Sequence, residues 1–437
     1  MVRESSGPLD CARYWPGSAA DLSKAESWDS GGDIVPRLFM ILIVLYMLAA
    51  LVQRIIPFSV NRVLGAAIMV VLGFDFLRRL TQMRAIAFFI LCILIVANVG
   101  ILTTDALTEI EFFIYFGSSL LVLCYLSSHD SASEISKALS SCKYFAVFSV
   151  CFAAAIVLFL LISGLGYQPS SWGGEVYYTG WCNAEHTMAS VACLVMTFSL
   201  VLNKIGHFPI PPLFLVLGIM SYALFQTGAR TFLIPDVIIL INAIRISMKR
   251  VWCQVASFLL IMGAAVAIFA STGMAAKFMY IEDGAWATGE SALSIFTSGR
   301  DQYWLTDLSA FFSGNPITWI VGASSSFVYN LNAQVFDMRI WAHNDFVMLL
   351  CSVGVLGIAI YLSALRAFFR QTRKCCRPLP FLLLVVYVMF PAIINGFYSY
   401  QHFVYSAVFL FVAIVIDSNT CQTPHGALDK MSVLSRR

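Results

Sequence analysis

The sequence predicts an all-α polytopic membrane protein of about 12 transmembrane helices, with one large external loop between helices 9 and 10. The first observation behind this prediction is composition, because 59% of the 437 residues are hydrophobic and only 12% are charged. A soluble protein of this length would have too few polar side chains to cover its surface. The other two observations are the regular recurrence of apolar runs and the uneven distribution of Lys and Arg.

The apolar runs are each long enough to cross roughly 30 Å of hydrocarbon once their flanks are included. The predicted cores of the first six helices are residues 38–52, 60–76, 86–102, 112–126, 144–165 and 188–202. Those of the last six are residues 213–225, 232–244, 251–270, 346–365, 381–394 and 403–416.

The distribution of positive charge orients this array. With both termini in the cytoplasm, 21 of the 27 Lys and Arg residues fall on the inside, which matches the bias of cytoplasmic loops toward positive charge. The outside segments hold Arg54, Arg62, Arg230, Lys277, Arg300 and Arg339. Because the insertion bias does not account for these six cations, they are candidates for function.

These assignments divide the chain into five segments. Residues 1–37 are predicted to be a disordered cytoplasmic tail, 38–270 carry helices 1–9, and 271–342 form the large external loop. Residues 343–416 carry helices 10–12, and 417–437 form a second cytoplasmic tail. The first apolar run begins too far from the N-terminus for a cleavable signal peptide, so helix 1 is predicted to be an uncleaved anchor.

Three external segments are candidates for a binding site. The first, residues 166–187, combines aromatic residues and carboxylates without any Lys or Arg. Trp181 and Glu175 are its predicted carbohydrate contacts, because sugar C–H faces stack on rings while sugar hydroxyls bond to acids. An aromatic belt at the membrane interface is the alternative explanation.

The second segment is the short turn 226–231, which precedes helix 8. Arg230 lies at the N-terminus of this helix, where its charge opposes the helix dipole unless an anion is nearby. Free backbone N–H groups at the same terminus complete a predicted anion site. The alternative is an arginine that reaches toward the interface without binding a ligand.

The third segment is the large loop, which is predicted to be a folded cap of short amphipathic helices on the membrane face. Its polar candidates form two groups, namely Arg300, Asp301 and Trp304 upstream and Arg339, His343, Asn344 and Asp345 just before helix 10. An imidazole titrates near neutral pH, so His343 is a candidate general base that Asn344 or Asp345 would orient. A hydrogen-bonded structural histidine is the alternative.

The motifs of these segments occur in a recognisable order. They are 228–233 (GARTFL), 298–300 (SGR) with Trp304, and 342–346 (AHNDF) followed by Gly354 and Gly357. This arrangement resembles the O-antigen ligase and polymerase superfamily of bacterial inner-membrane glycosyltransferases. The resemblance covers residues 227–361 at the level of motifs and the whole chain at the level of topology, whereas the N-terminal half carries no diagnostic motif.

The resemblance implies metal-independent, inverting transfer from a polyprenyl-diphosphate-linked glycan, without a cofactor. Arg230 and Arg300 would bind the diphosphate of an undecaprenyl-linked donor, and His343 would activate the hydroxyl of the acceptor. No Asp-x-Asp pair occurs in the sequence, which fits catalysis without a divalent ion. The implied surroundings are a lipid bilayer in the inner membrane and a site that faces the periplasm, with a chain-length regulator as a partner by analogy and no nucleic acid.

Two reactions of this superfamily stay open. A polymerase joins lipid-linked repeat units into O-antigen or exopolysaccharide, whereas a ligase transfers the finished chain to lipid A-core. The His-Asn-Asp-Phe form is more similar to the polymerases. A transporter or flippase with 12 helices is the alternative from another class, although the connection 203–210 is short for the link between two six-helix halves.

Overall fold

The structure is a computed structural model that describes residues 34–56, 60–79, 105–169, 176–275, 294, 297 and 299–420. Within these residues it is helical apart from one short hairpin, and nine helices are long and apolar enough to cross a membrane. The predicted class, an all-α multi-pass membrane protein, agrees with this architecture. The number twelve stays a prediction, because the predicted core 86–102 lies outside the described residues.

The first nine described helices form most of the bundle. They are α1 (Ile34–Leu51), α2 (Val60–Arg78), α3 (Ala106–Leu126), α4 (Ser131–Ser141), α5 (Lys143–Ser163), α6 (Glu185–Lys204), α7 (Ile210–Thr227), α8 (Leu233–Ser247) and α9 (Val251–Phe269). The strands β1 (Tyr167–Pro169) and β2 (Val176–Tyr178), which were not predicted, pair antiparallel between α5 and α6.

Six further helices follow α9, three in the large loop and three after it. They are α10 (Arg300–Phe312), α11 (Pro316–Val321), α12 (Ser325–Phe336), α13 (Asp345–Cys375), α14 (Pro378–Ile394) and α15 (Gln401–Thr420). A cap of short amphipathic helices on the membrane face was predicted for this loop, and its described part contains the short helices α10, α11 and α12. Helices α8 and α14 have 15 and 17 residues, fewer than a membrane span normally needs.

Helices α6 and α15 lie side by side at the centre of the bundle and are buried over nearly their whole length. Phe198 of α6 stacks on Phe409 of α15 with 4.5 Å between the ring centroids. At their C-terminal ends the carboxylate of Asp417 accepts hydrogen bonds from Lys204 at 2.8 Å and from Arg245 at 2.5 Å. The N-terminal ends of the same two helices lie at the opposite end of the bundle, where the predicted site residues are found.

The long helix α13 is interrupted at Gly354, which adopts a left-handed φ of +68°. The chain that follows α11 fills this interruption, because Ala323 N–H donates to Cys351 O at 2.7 Å and Ser324 N–H to Ser352 O at 3.2 Å. A Cβ on Gly354 would lie 2.3 Å from Ile320 O, so only glycine fits. The loop is therefore built into the membrane helix that follows it.

A buried carboxylate makes the second attachment of the loop to the bundle. Glu109 of α3 accepts hydrogen bonds from the backbone N–H groups of Ser325 at 3.3 Å and Ser326 at 2.7 Å. Both groups belong to the first turn of α12, where a negative charge is favoured by the helix dipole. The two attachments together fix the short helices against α3 and α13.

Candidate functional site

Arg300 lies at the first position of α10, after a glycine turn in which Gly299 has φ +77°. Its guanidinium donates a hydrogen bond to Ile394 O at 2.9 Å and lies 3.5 Å from His186 Nε2. Burial lowers the pKa of Arg300 from its ordinary value. Among the described residues no carboxylate forms an ion pair with this guanidinium, so its charge is available to an anion.

Arg230 lies in a short 3-10 turn, Arg230–Phe232, that leads into α8 as the sequence predicted. The turn is shaped by Gly228, whose φ is +64° and where a Cβ would lie 3.0 Å from the ring of Tyr177 of strand β2. Burial and the nearby charge of Arg300 lower the pKa of Arg230 to about 10. The two guanidinium groups therefore share one electrostatic environment, which an anion between them would stabilise.

His343 is held by a residue far away in sequence. Its Nδ1 lies 2.9 Å from Asn395 Oδ1, and Asn395 Nδ2 donates to Thr231 Oγ1 at 3.3 Å. Because the amide nitrogen faces Thr231, the amide oxygen faces the ring, and Nδ1 carries the proton. This tautomer leaves a lone pair on Nε2, the form that a general base requires.

The surroundings of His343 keep the imidazole neutral. Its side chain is buried beside the ring of Trp341, with 4.6 Å between the ring centroids. Burial and the charge of Arg300 lower the pKa of His343 to about 3. His343 also adopts a left-handed φ of +52°, an uncommon conformation that clusters at functional sites.

The two residues that follow His343 do not hold its ring, and the prediction that they orient it is wrong. Asn344 caps α13, since its Oδ1 accepts from Phe346 N–H at 2.9 Å, and its Nδ2 donates to Ile393 O at 2.8 Å. Asp345 Oδ2 accepts from Phe397 N–H at 2.8 Å. Successive side chains at the start of a helix point in different directions. Asn344 and Asp345 therefore bind different parts of the segment 393–398.

Two other predicted residues, Asp301 and Trp304, position α10. Asp301 Oδ1 accepts hydrogen bonds from Ser294 Oγ at 3.0 Å and Thr297 Oγ1 at 2.9 Å. Trp304 Nε1 donates to Ala342 O at 2.7 Å, immediately before His343. These contacts fix the distance between the segments that carry Arg300 and His343.

The remaining predicted contact residues are Arg339, Trp181 and Glu175, of which the first two contact other parts of the protein. Arg339 forms an ion pair with Asp105 and donates to Thr108 Oγ1 at 3.0 Å. Trp181 packs against the core, and its carbonyl accepts from Arg54 N–H at 3.0 Å. Glu175 lies outside the described residues.

Two adjoining cavities open beside this cluster, one of about 300 Å³ and one of about 200 Å³. They share Glu111, Tyr115, Ser399 and Tyr400, and the larger is also lined by Tyr329, Arg339 and Trp341. Arg230, Arg300 and His343 are not among the lining residues. Trp341 and Tyr400 link the larger cavity to the cluster, because both line it while Trp341 contacts His343 and Tyr400 lies 6.0 Å from the ring of His186.

Three members of the cluster were missed by sequence reasoning, namely His186, Asn395 and Tyr400. His186 lies in the first turn of α6, and Asn395 and Tyr400 lie in the connection between α14 and α15, where no cation drew attention to them. The polar Asn395-Gly396 pair directly after an apolar run was the one available signal. Burial raises the pKa of Tyr400 to about 12, so its phenol is a neutral hydrogen-bond donor beside Arg300.

The sequence matches no protein-family model and no curated protein. Within the described part of the chain, no group of three or more His, Cys, Asp and Glu side chains is arranged to hold a metal ion. The groups that the site brings together are two arginines, one imidazole and the adjoining cavities.

Proposed function

We propose that this protein is a metal-independent, inverting glycosyltransferase that polymerises undecaprenyl-diphosphate-linked repeat units into O-antigen or exopolysaccharide. One observation carries the proposal. The guanidinium of Arg300, which no described carboxylate neutralises, lies close enough to Arg230 and His343 to lower the pKa of both. Such a cluster suits a substrate that supplies a diphosphate to the cations and a hydroxyl to the base.

The reaction needs charge stabilisation at one end and proton removal at the other. The acceptor oxygen attacks the anomeric carbon while the bond from that carbon to the diphosphate oxygen breaks. The electron pair leaves with undecaprenyl diphosphate, whose growing charge Arg230 and Arg300 stabilise. The acceptor proton passes to His343 Nε2, and a single displacement inverts the linkage.

The donor itself would make His343 a better base. In the free protein, burial and the charge of Arg300 hold the pKa of His343 at about 3, too low for an efficient base at neutral pH. A bound diphosphate cancels the contribution of Arg300 and so raises the pKa of His343, while burial, the larger cause, continues to lower it. Proton transfer to His343 is therefore more favourable when a donor occupies the cationic cluster.

The location follows from the same proposal. The protein spans the bacterial inner membrane with both termini in the cytoplasm, and the cluster faces the periplasm, where lipid-linked repeat units are joined. The rings of Trp341 and Tyr400 in the cavity wall suit an acceptor glycan that approaches from the large loop.

The glycans of a deletion strain test this function. Single repeat units on lipid A-core, or unchanged lipopolysaccharide with a missing secreted polymer, support a polymerase. Bare core with accumulated long lipid-linked chains would assign the ligase reaction instead. Repeat units that accumulate on the cytoplasmic face would indicate a flippase and contradict the proposal.

A further inference from the structure

The smaller cavity has a chemical character of its own. It lies where α1 ends and where α2, α6 and α15 begin, and its wall includes Gln53, Asn61, Arg62, Tyr400 and His402. Amides, hydroxyls and an imidazole dominate this wall, whereas the larger cavity is lined mainly by aromatic rings. The smaller cavity is called the polar cavity below.

Three buried polar atoms in its wall have no hydrogen-bond partner among the described residues. They are Gln53 Oε1, Asn61 Oδ1 and His402 Nε2, and both Asn61 and His402 are almost fully buried. Leaving a buried polar group without a partner costs about 1–3 kcal/mol, so such groups are rare unless a ligand satisfies them. Three of them in one small cavity indicate a binding site.

The side chain of the adjacent Gln401, in contrast, makes hydrogen bonds with both its amide nitrogen and its amide oxygen. Its Nε2 donates to Tyr115 O at 2.7 Å and to Ser119 Oγ at 2.9 Å, and its Oε1 accepts from Ser118 Oγ at 2.8 Å. Gln401 and His402 are consecutive residues of α15, yet the amide is fully bonded and the imidazole Nε2 is not. Both residues line the polar cavity, so it is the missing partner of His402 Nε2, and not its position, that sets the imidazole apart.

The chemistry of the wall specifies a neutral ligand that is rich in hydroxyl groups. Amide oxygens and an imidazole nitrogen accept hydrogen bonds, so the ligand must supply several donors. The charged groups at the edge, Arg62 and Glu111, form an ion pair at 2.9 Å and therefore attract neither anions nor cations strongly. A sugar residue meets both requirements.

We propose that the polar cavity binds one sugar residue of the glycan substrate through its hydroxyl groups, while the adjoining aromatic cavity takes the next sugar. This inference rests on the proposed glycosyltransferase function and adds a subsite to it. Tyr400 lines both cavities and lies beside the cationic cluster, so a glycan held here reaches the reacting centre.

The test uses the full-length protein in detergent micelles and saturation-transfer NMR, which detects weak sugar binding. The probes are the methyl glycosides of glucose, galactose, mannose, rhamnose and N-acetylglucosamine, with inorganic pyrophosphate as a separate probe. We expect at least one glycoside to bind. Asn61→Leu and His402→Phe should each weaken that binding roughly tenfold, as loss of one hydrogen bond implies, and leave pyrophosphate binding unchanged.

The variants separate a binding site from a structural role. Replacement of an unpartnered buried polar group by an apolar group of similar shape is neutral or stabilising, so both variants should unfold at or above the wild-type temperature. If either variant fails to fold, Gln53→Leu replaces it in the binding measurement, with the same expected loss of sugar affinity. His207→Phe, at the far end of the bundle, is the matched control and should bind sugar normally.

Two results would overturn the inference: binding of no glycoside by the wild type, or wild-type affinity for sugar in the folded cavity variants. Failure of the proposed function would look different. Sugar would then bind, but pyrophosphate would not bind the wild type, or would bind Arg300→Lys equally well.

Discussion

The imidazole of His343 and the amide of Asn395, 52 positions apart in sequence, meet in a 2.9 Å contact between Nδ1 and Oδ1. This contact joins the end of the large loop to the turn between α14 and α15. It fixes both the direction of the ring and the tautomer that leaves Nε2 free to accept a proton. Asn395 is therefore a positioning residue for the proposed base.

Asn395→Asp should change the pH dependence of transfer. A carboxylate beside Nδ1 favours the protonated imidazole and raises the pKa of His343, by roughly one unit or more. Because only neutral His343 accepts the acceptor proton, the acidic limb of the rate profile should move to higher pH. The measurement is the transfer rate as a function of pH, and an active variant with an unshifted profile would contradict the positioning role.

Arg300→Lys should abolish transfer although it keeps the charge. A lysine cannot bind a diphosphate in two places while it also donates to Ile394 O, so we expect a loss of at least about 100-fold. The rate should be measured in variants that insert normally. Arg54→Lys, which alters an exposed arginine, is the matched control, and equal activity in both variants would refute the anion site.

Gly354→Ala should disrupt the attachment of the loop to α13. The new Cβ would lie 2.3 Å from Ile320 O in a backbone with φ +68°, which we expect to cost more than about 2 kcal/mol. Thermal unfolding and protease resistance of the loop measure this loss. Gly263→Ala in α9, where a Cβ meets nothing within 4 Å, should be tolerated, and equal stability of the two variants would contradict the packing described here.

The burial of Asp307 should make the free energy of unfolding depend on pH. This residue is fully buried in α10, and burial raises its pKa to about 7 from 3.8, so the folded protein holds a proton that the unfolded chain releases. The free energy of unfolding therefore decreases as pH rises between these two values.

Asp307→Asn removes this proton requirement. It should stabilise the protein above about pH 7 by up to roughly 4 kcal/mol and have little effect at or below the unfolded pKa of 3.8. Unfolding followed at both pH values tests this expectation. Equal effects at both would show that Asp307 is not protonated in the folded protein.

The sequence predicted the membrane architecture well, for a physical reason. Crossing a bilayer requires a long apolar segment, and this signal is local, so the helices at both ends of the described chain lie where hydropathy placed them. The interruption of α13 was not predicted. The backbone that fills the gap at Gly354 comes from Ala323 and Ser324, about 30 residues away in sequence, so no local pattern signals it.

The candidate site was predicted only in part. Arg230 and Arg300 attracted attention because the insertion bias does not account for positive charge outside the membrane, and His343 because an imidazole titrates near neutral pH. Asn395 and Tyr400 are uncharged and gain their importance from the partners that folding brings to them, such as His343. Asn344 and Asp345 were predicted instead because they are next to His343 in sequence. In the structure Asn344 caps α13 and Asp345 binds the backbone of Phe397.

The most direct test of the account is transfer by the purified protein in proteoliposomes, with undecaprenyl-diphosphate-linked repeat units extracted from the deletion strain. We expect the wild type and the control His129→Ala to form longer lipid-linked chains, and His343→Ala to lose activity by about 100-fold or more, as removal of a general base implies. Chain elongation by a correctly folded His343→Ala variant at the wild-type rate would contradict the account.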